Sequence, residues 1–325
     1  SYCIGDAYRK MGEVKQAHAA VRNFVRDHPG ATLAGRAKGD MLHYARMHED
    51  QEARLELLND LCFKTERTEA TKQACVNAAH ELATIHFHAQ EFEDGRKALA
   101  TSYKEEKLFD TVYSFSVKTI NHLLKDPKTA GDAAKLGEKL IAALRGESAN
   151  QPDRAKEFLY RIASLHSTLG RPSEIWKTYL EIEKKFGRDD DLRGHMADYY
   201  KARDRRDDAR RMYGEYEDQV AGLVKIAAMW EEDGDFEKAI ATYIRLIEIH
   251  GDNADGYQGS IAKCYESMSE WKKAINTYRQ IDDFPGTYFS MANCHRKLKD
   301  YKEAIVLYNQ CKAVDRAAPQ ASLQS

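Results

Sequence analysis

Apolar residues along this chain recur at the three- and four-residue spacing of amphipathic helices, and small residues recur at fixed points among them. The pattern is clearest in residues 226–308, where it occurs three times. Each copy has two alanines twelve residues apart, an aromatic residue three before the second alanine and a tyrosine four after it. The copies are Ala227, Phe236, Ala239 and Tyr243; Ala262, Trp271, Ala274 and Tyr278; and Ala292, Tyr301, Ala304 and Tyr308. Because two antiparallel helices cross closely where both carry a small residue, each copy predicts a helical hairpin.

The same spacing extends over almost the whole chain when the first residue of each pair is taken as an anchor. The anchors are Gly5, Met41, Ala83, Asn121, Ala163, Ala197, Ala227, Ala262 and Ala292. Successive anchors lie 30 to 42 residues apart, which predicts nine hairpins. The fourth copy, which pairs Asn121 with Ala133, is the least regular. Repetition at this period predicts a solenoid, in which each hairpin buries its apolar face against the next.

The turn inside each hairpin is predicted seven residues after the anchor. This position is occupied by Gly12, Gly170 and Gly234, and in other copies by Asp204, Ser269 and Lys299. Glycine readily adopts the left-handed backbone that ends a helix, so we expect the non-glycine residues to adopt it at a local cost. A further tyrosine position, sixteen after the anchor, is expected to fill the space between hairpins. It is occupied by Tyr179, Tyr213, Tyr243, Tyr278 and Tyr308.

The alanine pairs, the aromatic residue after the turn and a closing proline at Pro29 resemble the tetratricopeptide repeat family. The resemblance implies an all-α, right-handed α-solenoid of about nine helical hairpins. It also implies a protein-binding scaffold whose concave groove is lined by the first helix of each hairpin. A weaker likeness, carried by residues 24–37 with their His-Pro-Gly turn, is to bacterial cell-envelope proteins of the same repeat family.

The regularity of the pattern changes along the chain. Residues 1–145 predict divergent N-terminal repeats, residues 146–312 regular C-terminal repeats, and residues 313–325 a tail that starts as a partial cap, all within one continuous solenoid. The polar residues 146–153 are expected to form a joint, with Pro152 at the start of the next helix.

Composition and charge narrow the classes of function. Charged residues make up 31% of the chain, yet the net charge is only −2, so nucleic acid is not an expected partner. The apolar runs are too short to cross a bilayer, and no membrane insertion is expected. The six cysteines show no metal-binding spacing and are interpreted as small buried side chains.

Candidate chemistry is sparse. His80, His86 and His88 lie on one predicted helix but lack the i, i+4 spacing of a helical metal site, so no metal is expected. No Walker loop, zinc-protease motif, dinucleotide fingerprint or nucleophile elbow occurs. We therefore expect no cofactor and no enzymatic activity.

The variable positions of the first helices are the candidate partner-binding groove. They are Arg9, Lys10, Arg46, His80, Phe87, His88, Tyr160, Lys201, Glu231, Glu232, Lys263, Glu266, Asn293, Arg296 and Lys297. This order predicts a groove that is basic at its first end, neutral and aromatic in the middle, acidic at Glu231 and Glu232, and basic again in the last repeat. Such a groove suits a peptide segment, with charges setting register and aromatic side chains supplying area.

The sequence favours a non-catalytic scaffold or adaptor that binds a protein or peptide segment. Two alternatives stay open: a bacterial cell-envelope assembly factor, and the recruiting repeat region of a larger enzyme. Self-association through the solenoid ends is a further expectation. A cytoplasmic and a bacterial periplasmic location are both compatible with the sequence.

Overall fold

The computed structural model describes residues 2–28, 31, 33–47, 51–69 and 71–321, apart from some side chains. The described residues contain eighteen α-helices and no strand, and the helices pack in consecutive pairs. The predicted all-α class is therefore confirmed. Pro29, the predicted closing proline, and residues 322–325 lie outside the described residues.

The chain divides into two compact units, Ser1–Thr178 and Tyr179–Ser325, with the boundary inside the tenth helix. The helices that begin in unit 1 are α1 (Tyr2–Lys10), α2 (Val14–Asp27), α3 (Ala34–Met47), α4 (Gln51–Asn59), α5 (Lys72–His88), α6 (Phe92–Ala100), α7 (Glu105–Leu123), α8 (Ala130–Asn150), α9 (Ala155–Thr168) and α10 (Pro172–Phe186). Unit 2 continues with α11 (Asp190–Lys201), α12 (Arg206–Gly214), α13 (Gln219–Asp233), α14 (Phe236–Ile249), α15 (Ala254–Ser267), α16 (Trp271–Tyr278), α17 (Gly286–Lys297) and α18 (Tyr301–Ala321).

The paired small residues lie where the helices cross. Ala227 and Ala239 have no solvent exposure, and neither do Ala262 and Ala274. Their methyl groups let the two backbones approach, and larger side chains then close around them. In the seventh hairpin Tyr243 is one of these side chains, packed in the same buried cluster as Ala227 and Ala239. The predicted crossing pattern is confirmed in these hairpins.

The fourth hairpin departs from the predicted spacing. Ala133 is fully buried, but Asn121 is exposed. Helix α7 ends two residues after Asn121, and the connection 124–129 to α8 is longer than the turns of the regular hairpins. Asn121 therefore lies in the last, solvated turn of α7, and the buried small side chains of this helix are Ser116 and Thr119.

The left-handed turns occur where the sequence placed them. The φ angles are 75° at Gly12, 67° at Gly170, 75° at Gly234, 57° at Asp204, 60° at Ser269 and 64° at Lys299. Gln90, which had not been predicted, has a φ of 62° at the same position of the third hairpin. Side chains are thus tolerated at this turn, although the left-handed conformation costs an L-residue about 1–2 kcal/mol.

The predicted joint at residues 146–153 is mostly helical. Helix α8 continues through Gly146 to Asn150, and a 3₁₀ turn, Pro152–Arg154, leads into α9. Pro152 opens that turn, as expected from its fixed φ and missing N–H.

Replacing Gly234 by alanine should destabilise unit 2 by about 1 kcal/mol, because a side chain would have to adopt the left-handed backbone. Gly251 is a matched control, since it has no left-handed φ and, like Gly234, no atom within 4 Å of an added Cβ. Gly251→Ala should leave stability unchanged or slightly raised. Urea unfolding followed by circular dichroism measures both variants, and equal free energies of unfolding would contradict the expectation.

Candidate partner-binding surface

At the start of unit 1, the predicted groove residues are Arg9 and Lys10 on α1. Both side chains are more than half exposed, and both pair with Asp6, at 2.8 and 3.0 Å. The hydrogen bond from Arg9 and then that from Lys10 hold the pKa of Asp6 below its ordinary value. The first end of the predicted groove therefore carries cations whose charge is partly neutralised on the same helix.

Arg46 on α3 connects two hairpins. Its guanidinium pairs with Glu81 on α5, which also accepts from Arg54 at 2.7 Å. Burial opposes ionisation of Glu81, but hydrogen bonds from the two arginines keep its pKa below the ordinary value. Arg46 thus has a structural partner and is only partly available to a ligand.

The middle of the predicted groove is neutral and aromatic. His80 Nε2 lies 2.6 Å from the Tyr103 hydroxyl, and its ring centroid is 4.9 Å from that of Phe115 on α7. His88 meets His122 of α7 edge-on at 5.2 Å. Burial lowers the pKa of both His80 and His88, with smaller contributions from Lys118 and His122 respectively.

Phe87 is not part of the surface, and its inclusion among the groove residues was wrong. Its side chain is fully buried, with its ring centroid 5.8 Å from that of Phe92. It lies four residues after Ala83, so both share the interior face of α5. A Cβ at Gly95 would lie 2.5 Å from the Phe87 ring, so this ring fills the space that the glycine leaves. Tyr160 on α9 is half-buried, and the ammonium of Lys156 lies 5.7 Å from its ring centroid.

In unit 2, the first predicted residues form an ion-pair network. The carboxylate of Glu232 on α13 forms ion pairs with Lys201 of α11 at 3.3 Å and with Arg206 of α12 at 3.0 Å. The hydrogen bond from Arg206 holds the pKa of Glu232 below its ordinary value. This network links consecutive hairpins, so the predicted acidic patch is largely neutralised.

Glu231 is engaged in a different way, in the Glu231 cluster (Glu231, Tyr243, Ser260 and Cys264). Its carboxylate accepts hydrogen bonds from the Tyr243 hydroxyl of its own hairpin and, at 3.6 Å, from the Cys264 thiol of the next. The hydroxyl of Ser260 also bonds Tyr243. Tyr243 and Cys264 are buried, so this carboxylate joins two hairpins from inside.

The same arrangement recurs one hairpin later, in the Glu266 cluster (Glu266, Tyr278, Ser290 and Cys294). Glu266 accepts from the Tyr278 hydroxyl at 2.7 Å and from the Cys294 thiol at 3.6 Å, and Ser290 bonds Tyr278. In the last hairpin Asn293 takes over as acceptor, 2.7 Å from the Tyr308 hydroxyl.

Both clusters favour protonated side chains beside a carboxylate. Burial and then the Glu231 charge raise the pKa of Cys264 to about 12, and burial and then Glu266 do the same for Cys294. Burial and the same carboxylates raise the pKa of Tyr243 and Tyr278. Two predicted groove residues, Glu231 and Glu266, therefore hold hairpins together. A signal was present in the sequence, because the Glu–Tyr spacing of twelve and the Ser–Cys spacing of four each occur twice.

The predicted groove residues that remain exposed in the last two hairpins are basic. Lys263 on α15 and Arg296 and Lys297 on α17 are exposed, and none has a carboxylate partner among the residues described. The Lys297 ammonium lies 5.9 Å from the centroid of the Trp271 ring, and Arg296 lies 3.4 Å from the Asn293 side-chain oxygen.

A cavity of about 450 Å³ lies between α15 and α17. Lys263 lines it together with the hydroxyls of Ser260 and Ser290. Asp255 and Asp283 also line it, each at the N-terminal end of a helix, where the helix dipole offsets negative charge.

One group of possible metal ligands was not found from the sequence. His86, Glu91 and Asp94 bring one ligand atom each to within 4.8 Å of one another. His86 Nδ1 lies 2.6 Å from Glu91, and His295 makes the same contact with Asp300 at 3.1 Å at the equivalent turn of the last hairpin. The recurrence marks the histidine–carboxylate pair as a contact that holds the turn.

The fold and this surface define a class of protein, in which stacked helical hairpins present variable side chains on their first helices. The sequence model of the tetratricopeptide repeat family matches residues 285–317, which include α17 and the first part of α18. The match supports the resemblance to the tetratricopeptide repeat family that the sequence had indicated.

Two solved structures are similar to this chain at low sequence identity. The tetratricopeptide repeat domain of P58(IPK) is 14% identical, with a TM-score of 0.26, over 95% of this chain and 90% of that chain. Yeast Tom70 is 11% identical, with a TM-score of 0.36, over 98% of this chain and 88% of that chain. A search of curated proteins finds no match. No helix in the described part of the chain is long and apolar enough to cross a membrane.

Glu231→Ala should lower the free energy of unfolding by about 1–3 kcal/mol, because it leaves the buried hydroxyl and thiol without their acceptor. The neighbouring Glu232→Ala removes only exposed ion pairs and should cost less than about 1 kcal/mol. Urea unfolding of the two variants gives the comparison. If Glu231→Ala were the milder change, the cluster would have no stabilising role.

Cys264 and Cys294 should resist alkylation by iodoacetamide at pH 8 in the folded chain, because both are buried and protonated, whereas the exposed Cys3 should react. Folding raises the thiol pKa above its ordinary value of about 8.5. The two protonated thiols therefore contribute to the stability of the folded chain below about pH 8.5. This contribution is lost as pH rises towards about 12. Mass spectrometry of labelled peptides measures reactivity, and unfolding in urea provides the control in which all thiols react.

Proposed function

We propose that this protein is a non-catalytic scaffold that binds an acidic peptide segment of a partner protein on α15 and α17. The observation that carries the proposal is the basic surface of Lys263, Arg296 and Lys297, which has no carboxylate partner among the described residues. Lys263 lines a cavity of about 450 Å³. Tetratricopeptide repeat proteins are typically protein-interaction scaffolds, which supports the proposal that this protein is a scaffold.

The cavity suits a peptide better than a flat protein surface. The N-terminal half of α15 contributes Gly256 and Gly259, so a peptide backbone can approach the helix closely. The hydroxyl oxygens of Ser260 and Ser290 can accept hydrogen bonds from peptide N–H groups. Lys297 follows Ser290 by seven residues, which is about two turns along the same face of α17 and roughly 10.5 Å. A second carboxylate of the ligand, two or three residues from the first, could therefore reach it.

The other partners and functions considered from the sequence remain predictions. No observation favours the cell-envelope assembly factor or the recruiting region of a larger enzyme over a general scaffold. Self-association through the ends and the absence of nucleic-acid binding also stay predictions.

A display library of random twelve-residue peptides tests the proposal without knowledge of the natural partner. Selection on the 325-residue chain should enrich peptides with paired Asp or Glu. Lys263→Ala should weaken the selected peptides about tenfold or more, because a charge-assisted hydrogen bond contributes about 1.5–3 kcal/mol. Fluorescence anisotropy with labelled peptides measures the change.

Lys272→Ala is the matched control, since Lys272 is exposed on α16 in the same unit but does not line the cavity. It should leave affinity within about twofold. Equal losses in both variants would indicate only a general electrostatic effect. Selection of peptides without acidic residues would contradict the proposed partner class.

A further inference from the structure

A second concave site lies in unit 1, mainly between the second helices α6 and α8. Two adjoining cavities, of about 800 and 670 Å³, share Arg96, Glu147 and Asn150 as lining residues. Together they form the α6–α8 cleft, which extends to the first turn of α7.

The wall that α8 contributes is made of small side chains. The buried face of this helix carries Leu136 and Leu140, and the face that lines the cleft carries Ala142, Ala143 and Gly146. No atom lies within 4 Å of a Cβ added at Gly146, so the wall is open there. A partner backbone can approach such a wall as closely as helices approach each other at an alanine crossing.

The outer faces of other second helices have a different composition. On α12 the exposed or half-exposed positions include Arg206, Asp207, Arg210 and Arg211, which form ion pairs with neighbouring carboxylates or basic groups. A charged outer face is what solvent favours on a helix of this kind. The small side chains that α8 presents to the cleft therefore contrast with the charged outer face of α12.

The charges around the cleft are predominantly acidic. Glu93 lies on α6 near one end, and Glu105 and Glu106 form the first turn of α7 at the other. All three are exposed, and none has a cationic partner among the described residues.

Most cations that line the cleft are already engaged. Arg96 reaches across it to Glu147 at 3.8 Å, and Arg154 pairs with Asp110 at 3.2 Å. Lys139 donates to the backbone oxygen of Gln90 at 2.5 Å. Lys104 also lines the cleft, but its single positive charge is outnumbered by the carboxylates of Glu93, Glu105 and Glu106. The cleft as a whole therefore attracts positively charged groups.

We infer that the α6–α8 cleft is a docking site for a basic amphipathic helix of a partner protein. The small or apolar face of that helix lies on Ala142, Ala143 and Gly146, and its Lys or Arg side chains reach Glu93 at one end and Glu105 and Glu106 at the other. A helix fits better than an extended strand, because the helical walls offer no sheet edge to pair with a strand. The inference is independent of the proposed function, since the site lies on other helices and selects the opposite charge.

The test uses a display library of fifteen-residue helical peptides, selected on the 325-residue chain. We expect Lys- and Arg-rich amphipathic sequences that lose at least tenfold in affinity for Gly146→Phe, measured by fluorescence anisotropy. The new ring enters open space and replaces a helix-interior glycine, so the variant should fold at least as stably as the parent. Its circular dichroism and thermal unfolding verify this.

Gly131→Phe is the matched control, because Gly131 also lies on α8 with no atom within 4 Å of an added Cβ but does not line the cleft. It should leave affinity unchanged. A charge-reversed pair, Glu93→Lys with Glu106→Lys, should weaken the same peptides at least tenfold. The inference is overturned if selection yields no basic helix, if Gly146→Phe binds as the parent does, or if binding is lost in Lys263→Ala and kept in Gly146→Phe.

Discussion

The close crossing of two helices at a pair of small residues is the constraint on which the rest of this structure depends. At Ala227 and Ala239, or Ala262 and Ala274, a methyl group on each helix sets how near the backbones come. That separation fixes where a tyrosine later in the second helix meets the next hairpin. Because the small residues recur in successive hairpins, the contacts between hairpins can recur as well. The Glu231 cluster and the Glu266 cluster are two copies of one such contact.

The crossing also determines which groove positions are free. A residue four after the anchor shares the anchor's interior face, so it is drawn towards the neighbouring hairpin. At that position Phe87 is wholly buried, whereas Glu231 and Glu266 are half-buried and accept buried hydrogen bonds. Residues one and five after the anchor, such as Lys263 and Lys297, turn further outward and are exposed. Position four after the anchor is not buried in every hairpin, because Arg9 and Arg296 occupy it and are exposed. Both the repeat position and the side chain therefore decide whether a residue is available to a ligand.

The helix crossing and the contacts between hairpins explain which features could be predicted from the sequence and which could not. Hairpins, crossing residues and left-handed turns follow from local spacing, and the prediction succeeded even for Asp204, Ser269 and Lys299. The prediction that Asn121 is a crossing residue was wrong, because the longer connection after α7 places Asn121 in the last turn of that helix. Spacing alone does not reveal where a helix ends. Phe87 failed because its burial depends on the space beside Gly95, which is a contact between helices. The partner of a carboxylate in the next hairpin is likewise a tertiary property.

Ion pairs neutralise many of the charged side chains of this protein and leave, within the described part of the chain, a few surfaces with charges that have no partner. Ion pairs such as Lys201 with Glu232 and Arg46 with Glu81 remove charge from positions that the sequence alone would count as recognition sites. The more exposed pair, Lys201 with Glu232, adds little stability, and a ligand would have to compete with either pair. The surfaces that can attract a partner at low cost are those whose charge has no such counterpart. Lys263 beside the α15–α17 cavity and Glu93 beside the α6–α8 cleft meet that condition with opposite sign. If both proposed sites bind their ligands, the two segments would not compete for one set of charges, because the two surfaces select opposite charge.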